Sequence, residues 1–264
     1  MLDRIDHDHG IRELHLARPP ANALNPELVQ ALRNAIDSAP TDGVSGLILS
    51  GAPGLFSGGL DVPSLIQLDR DQMERFWRQF FALCAELARS PLPIVAAIGG
   101  HSPAGGAVLT LFCDYRIMAH GPFQIGLNEV QVGLVAPECI QLAMRRLIGA
   151  YPAERLLVSG KMLDAESAHR IGLVDELVGV DDVVTRAKVW LGELLALPRH
   201  AMLATRRIAR ADLAAAFADL DALPVDDFLD GWFSDHAQQV LRALVARLKG
   251  GGGEAPGHRT QGTP

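Results

Sequence analysis

The chain has 264 residues, 48% hydrophobic and 21% charged, with a formal net charge of -7. That length buries a large core, as one domain or as one domain with a helical appendage. The pI near 5.7 and only three lysines (Lys161, Lys188 and Lys249), with arginines interleaved among acids, leave no basic stripe for nucleic acid. No apolar run reaches the ~18 residues of a membrane span, so no membrane association is expected. Three scattered cysteines (Cys84, Cys113, Cys139), each in an apolar stretch, fit reduced core thiols rather than disulfides or a metal site. The opening MLDRIDHDHG has no apolar h-region. With the reduced thiols, it sets the expectation of a cytoplasmic protein.

In chain order, Ile11–Ala17 alternates as a half-buried strand and stops at Arg18-Pro19-Pro20. His7, His9 and His15 lie in or before it and read as surface or edge residues. Asn25-Pro26 opens a helix with apolar positions Leu28, Leu32 and Ile36. Gly46–Ser50 is a short apolar strand that runs into a glycine turn, Phe56-Ser57-Gly58-Gly59-Leu60-Asp61. Val62–Leu68 is irregular to weakly helical. Arg70–Arg89 is a helix, with Met73, Trp77, Phe80, Phe81, Cys84 and Leu87 at a 3.6-residue period. That stripe is either a core face or, through Met73, Trp77 and Phe81, the wall of a substrate tunnel.

A second apolar strand, Ile94–Ile98, feeds a second glycine turn, Ser102-Pro103-Ala104-Gly105-Gly106-Ala107. A helix over 105–112 and a strand over 115–119 follow. Short helices are expected over 137–147, 153–158 and 164–171, the last capped by Asp164. From about Asp181 the chain is nearly all helical: 181–196, 200–222 and 226–249, separated by Pro198 and Pro224. The sequence divides into a core over 1–197, a helical region over 198–249 that covers a neighbouring subunit as well as its own core, and a tail over 250–264 too poor in apolar residues to fold.

Glycine turns at strand ends aim backbone N–H groups at a ligand oxygen, and two converging donors form an oxyanion hole. The informative acid is Glu129, in an apolar, glycine-flanked stretch with no nearby lysine or arginine. Lost solvation there raises a carboxyl toward the range of a general base. A cap or a surface carboxylate is the alternative. No H-E-x-x-H, no paired cysteines and no G-x-S-x-G occur. His101 and His120 lack an orienting acid nearby in sequence, although His101 stands beside the second turn.

Four segments together resemble the crotonase, or enoyl-CoA hydratase/isomerase, superfamily. They are Asn22-Ala23-Leu24, FSGGLD at 56–61, PIVAAIGGHSPAGGAVLTLFCDYRIMA at 93–119 and IGLNEVQVGLVAP at 125–137. The last two are most similar to its mitochondrial-type Δ3,Δ2-enoyl-CoA isomerase branch. The resemblance implies an α/β fold, a ββα spiral with a C-terminal helical oligomerisation region, and assembly as a homotrimer or dimer of trimers. It implies an acyl-CoA substrate and no separate cofactor, since coenzyme A arrives with the substrate. It matches the N–H groups of Leu60 and Gly105 to the oxyanion donors and Glu129 to the proton-transfer acid. Val108 stands where hydratases carry a second glutamate, which argues against efficient hydration. Ala21, Asn22, Ala23 and Leu24, with Ser57, Gly58 and Gly59, match segments that grip CoA. Asp61 matches the acid that braces the first oxyanion loop, and Lys249 falls where relatives place a base near the CoA phosphates. The rival reactions are hydration and another enolate reaction, decarboxylation or thioester hydrolysis.

Overall fold

A computed structural model describes residues 1–250, with side chains through Leu248. The tail expected over 250–264 therefore lies almost wholly outside the described residues, as does the side chain of Lys249. Among the described residues, ten strands fall into two sheets. The larger has the order β1 (Leu2–His7), β2 (Ile11–Leu16), β3 (Gly46–Ser50), β5 (Ile94–Ile98), β7 (Tyr115–Ala119), β10 (Glu176–Val178). The smaller has the order β4 (Gly54–Leu55), β6 (Gly100–Pro103), β8 (Gln124–Gly126), β9 (Leu163–Asp164). From β3 onward each turn of the chain gives one strand to each sheet and then a helix. β3 and β4 lead to α2 (Val62–Leu65) and α3 (Arg70–Arg89), β5 and β6 to α4 (Gly105–Leu111), and β7 and β8 to α5 (Glu138–Ile148). This is the ββα spiral. Its central strands pair in parallel and are covered on both faces, which is why GLILS and IVAAI read as unbroken apolar runs.

The inner face carries the main core with α1 (Pro26–Ser38) and α3. The outer face of Ile48, Val95, Ala97 and Ile117 packs against Val183, Ala187 and Leu191 of α8 (Val183–Leu195). Asn25 caps α1 through Leu28 N–H at 2.9 Å, and Asp69 and Gln72 form a reciprocal capping box on α3. Between β8 and α8 lie α6 (Ala150–Ser159) and α7 (Ala165–Arg170), the latter capped by Asp164 on Ser167 N–H at 2.7 Å.

Four expectations need correction. The first strand is β1, paired antiparallel with β2. Its polar composition hid it, because an edge strand buries little. His7 and His15 do more than line an edge. His7 Nε2 lies 2.9 Å from buried Glu13, and His15 Nδ1 lies 2.8 Å from Ser50 Oγ. The 200–222 stretch is two helices, α9 (Arg199–Ala209) and α10 (Ala211–Ala215), parted where Arg210 turns inward to donate to the Phe112 carbonyl at 2.6 Å. The 226–249 stretch is likewise α11 (Val225–Phe233) and α12 (Asp235–Gly250), broken at extended Ser234, whose hydroxyl accepts from Ala237 N–H. Arg206 clamps α9 to the core through both carboxyl oxygens of Asp114, at 2.7 and 2.8 Å.

Candidate active site

The first glycine turn lies between β4 and α2. Gly58 N–H donates to the Ala21 carbonyl (2.7 Å), Leu24 N–H to the Gly59 carbonyl (2.7 Å) and Asp61 N–H to the Leu24 carbonyl (3.0 Å), so the segment Ala21–Leu24 is laced along the turn. Buried side chains complete the brace. Asn22, held at φ 49°, donates Nδ2 to the Phe56 carbonyl and accepts from Arg18 N–H. Ser57 Oγ donates to the Asn22 carbonyl at 2.8 Å and accepts from Gly59 N–H. Asp61 caps α2, accepts from Ser64 Oγ at 2.7 Å and pairs with Arg18 Nη2 at 2.6 Å. Most polar groups of Ala21–Leu24 and Ser57–Asp61 are thus consumed within the protein. Among the described residues, the N–H groups of Ala21, Ala23 and Leu60 and the carbonyls of Ser57 and Gly58 have no hydrogen-bond partner within the protein.

The second turn is held by backbone. Ala104 N–H donates to the Gly126 carbonyl of β8 (2.8 Å) and its own carbonyl accepts from Val108 N–H (2.9 Å). Ala104 sits at φ 45°, ψ -120°, a region that L-residues avoid. Gly105 follows as the first residue of α4, where a backbone N–H has no helical acceptor.

The two turns touch. A β-carbon on Gly59 would lie 3.4 Å from Gly105 N, and one on Gly105 would lie 3.4 Å from Leu60 N and 3.1 Å from Leu24 Cδ1. Glycine at both positions lets the loops close, and the N–H groups of Leu60 and Gly105, unpaired among the described residues, come together. Leu60, Gly105, Val108 and Glu129 all line one cavity of about 20 Å³, room for a single water. Roomier clefts exist, such as one of about 760 Å³ beside α9, but volume alone does not mark the chemistry: that cleft is lined by arginines and holds no carboxylate.

Glu129 opens a 3-10 turn, Glu129–Val132, after β8. The turn is fixed by Gln131 Nε2 donating to the Gly160 carbonyl at 2.8 Å, and it rests on α12. The residue is half-buried, yet its Oε2 is inaccessible and has no hydrogen-bond partner among the described residues. Burial pushes the carboxyl up from 4.5 to about 7, against a smaller lowering by its own backbone N–H. That is the direction its apolar neighbours in sequence predict.

Other sequence candidates fall elsewhere. His101 accepts from Gln124 N–H (3.1 Å) and stands edge-on to Phe123, tying β6 to β8. His120 meets Glu166 at 3.4 Å on the surface, a partner too distant in sequence to foresee. Met73 is buried in the core, whereas Trp77, Phe80 and Phe81 both pack in the core and line the cavity. Sequence reasoning missed Arg18, which braces Asp61, and Phe228 of α11, which reaches the cavity from the far end of the chain. The strain at Ala104 had one signal, its place between Pro103 and Gly105. Among the described residues no group of three His, Cys, Asp or Glu is arranged to hold a metal, and no helix is long and apolar enough to cross a membrane.

Residues 6–230 match the enoyl-CoA hydratase/isomerase family. The human mitochondrial enoyl-CoA delta isomerase 1 is 32% identical over 243 residues, 91% of this chain and 80% of that protein. A probable enoyl-CoA hydratase of Mycobacterium avium is 36% identical over 217 residues, covering 82% of this chain and 80% of its own. The crystal structure of human mitochondrial Δ3,Δ2-enoyl-CoA isomerase superposes with a TM-score of 0.90 at 32% identity, over 96% of this chain and 99% of that one. These relatives also correct the expected cytoplasmic location, since the human, mouse and rat proteins are named as mitochondrial. Buried free thiols do not tell one reducing compartment from another. Fold, motif order and relatives agree: the chain belongs to the enoyl-CoA hydratase/isomerase family.

Proposed function

We propose that the protein converts 3-enoyl-CoA to 2-trans-enoyl-CoA by a 1,3-proton shift with Glu129 as the one acid–base. The supporting observation is that, among the described residues, Glu129 is the only carboxylate lining the cavity it shares with Leu60 and Gly105, while Val108, the position of the second hydratase glutamate, contributes an apolar surface. The relatives' names divide between isomerase and hydratase, so the choice rests on these groups.

The thioester oxygen accepts from the N–H groups of Leu60 and Gly105. Glu129 takes a proton from C2, and the electron pair moves through C1 onto that oxygen as a dienolate. The carboxylic acid then returns its proton to C4, the C3–C4 double bond having shifted to C2–C3. Donors fixed before the charge develops stabilise it without reorganising. A single carboxylate serves both ends because the proton leaves and returns on one molecule. Addition of water instead needs a second group to position it. The family resemblance carries the further proposal of a homotrimer or dimer of trimers, which sedimentation velocity tests.

The discriminating assay compares 3-hexenoyl-CoA with crotonyl-CoA. Conjugated product from the first and little hydration of the second is expected; faster turnover of crotonyl-CoA overturns the assignment. Glu129→Gln is expected to abolish conversion while CoA binding persists. The wild-type rate rises with pH through about 7 as the carboxyl ionises. Stability moves the other way. Between the ordinary 4.5 and about 7 the native chain holds a proton the unfolded chain has lost, so stability falls as pH rises through that window. Glu129→Gln therefore raises the melting temperature at pH 8 and leaves it unchanged at pH 4.

A further inference from the structure

No neighbouring side chain grips the Glu129 carboxyl. Its Oε2 has no partner among the described residues, and the side chains that line the cavity with it carry no other titratable group. The hydrogen-bonding group that acts on it is its own backbone N–H. Such a carboxyl is aimed by its backbone, so whatever seats the 3-10 turn Glu129–Val132 also seats the base. Two neighbours do so. Gly133, at φ 77°, ends the turn against α12, where a β-carbon on it would stand 3.3 Å from Ala237 Cα. Gln131 reaches the other way, to the C-terminal end of α6, and its Nε2 donates to the Gly160 carbonyl at 2.8 Å. The fit there is close: a β-carbon on Gly160, itself at φ 60°, would stand 2.7 Å from Val130 Cγ2 and 3.1 Å from Gln131 Cγ. The contact with α12 is one of shape alone. Among the described residues, the Gln131 amide makes the turn's side-chain hydrogen bond to another element.

We propose that Gln131 is a positioning residue for the reaction: by tying the Glu129 turn to the end of α6, it holds the carboxyl within reach of both C2 and C4 and out of water. The proposal deepens the isomerase reading and rests on it for the reacting carbons. A 1,3-shift asks more of its base than a single abstraction does, because one carboxyl must meet two carbons in turn. A misplacement of about 1 Å caused by a change away from the chemistry costs about 100-fold in rate. The same seat sets the proton affinity. Burial holds the carboxyl at about 7, and no neighbouring charge contributes to that rise. A turn that lifts from α6 lets water reach Oε2. The ionised form then regains its solvation, and the carboxyl falls back toward 4.5. A residue that only supported the fold would move neither the rate of the folded enzyme nor this proton affinity.

Gln131→Met keeps the length of the side chain and removes the donor. Carbon-13 NMR of full-length protein labelled at the glutamate carboxyls reads Glu129 without requiring turnover, its signal being the one lost in Glu129→Gln. The Glu129 carboxyl of Gln131→Met is expected to bind its proton at least about fivefold more weakly than that of the wild type; a smaller change overturns the proposal. With 3-hexenoyl-CoA, kcat is expected to fall at least about tenfold while KM stays within about twofold. A smaller fall in kcat, or a loss that lies in KM, also overturns it, whatever happens to the melting temperature. Gln131→Asn retains the amide but ends one methylene short of the Gly160 carbonyl. It is expected to behave as Gln131→Met does, and it takes that variant's place under the same limits should Gln131→Met fail to fold. A weakened proton affinity in Gln131→Met together with no conversion of 3-hexenoyl-CoA by the wild type would overturn the isomerase assignment and leave the seating of Glu129 by Gln131 standing.

Discussion

The turn at 56–61 and the turn at 102–107 each bring one residue, Leu60 and Gly105, to the same cavity, but side chains hold the first and backbone holds the second. Around Leu60 the braces are Asn22, Ser57, Asp61 and Arg18, four polar residues whose bonds cross between segments far apart in sequence. Around Gly105 the braces are the Ala104 bonds to Gly126 and Val108 and the start of α4, with Ala104 held at positive φ. One donor is therefore adjustable by ordinary substitution, while the other answers only to changes in backbone freedom or space. The comparison also separates stability from catalysis, since the first brace contains a partly buried ion pair and the second contains strain.

The largest effect is expected from Gly105→Ala. Its β-carbon would stand 3.4 Å from Leu60 N, in the space where an oxygen would meet both donors. Loss of a donor costs about 100- to 1,000-fold in kcat, and steady-state kinetics on 3-hexenoyl-CoA measures it. A near-normal rate would show that the two N–H groups do not share a target. Asp61→Ala comes next. It removes the α2 cap and leaves Arg18 without its partner at 2.6 Å, so stability falls by about 1–3 kcal/mol in urea denaturation. The rate falls too, because Leu60 loses its anchor. A stability loss with an unchanged rate would make that brace purely structural.

The smallest effect, and the sharpest test of the contrast, is Ala104→Gly. Relief of a positive-φ strain worth about 1–3 kcal/mol outweighs the ~1 kcal/mol entropic penalty of glycine. The melting temperature is expected to hold or rise while kcat falls several-fold at unchanged KM. Ala104→Ser, which keeps the β-carbon, restores kcat. A melting temperature that drops in Ala104→Gly would show that the turn is unstrained.

Local sequence signals match the structure where the physics is local. The 3.6-residue stripe of α3, the caps Asn25 and Asp164 and the unbroken apolar runs of β3 and β5 lie where the sequence pattern puts them, because periodicity and capping involve neighbours in the chain. The breaks at Arg210 and Ser234 were not legible. Arg210 leaves the helical path for the carbonyl of Phe112, a partner no local window contains, and a serine inside an apolar helical pattern reads as continuation as readily as a cap. The polar strand β1 was missed for the same reason, since its partner β2 is what makes it a strand.

By itself the sequence determined the two glycine turns, the isolated Glu129 and the absence of a second carboxylate at Val108, since these depend on which residues are present and in what order. Only the tertiary structure decided that Gly59 and Gly105 bring the turns into contact, that Glu129 Oε2 is left without a partner, and that Phe228 closes the cavity from a helix near the other end of the chain. Convergence of backbone donors, desolvation of a carboxyl and the depth of a pocket are all set by atoms brought together through folding. Chain order records the pieces, and packing decides what faces them.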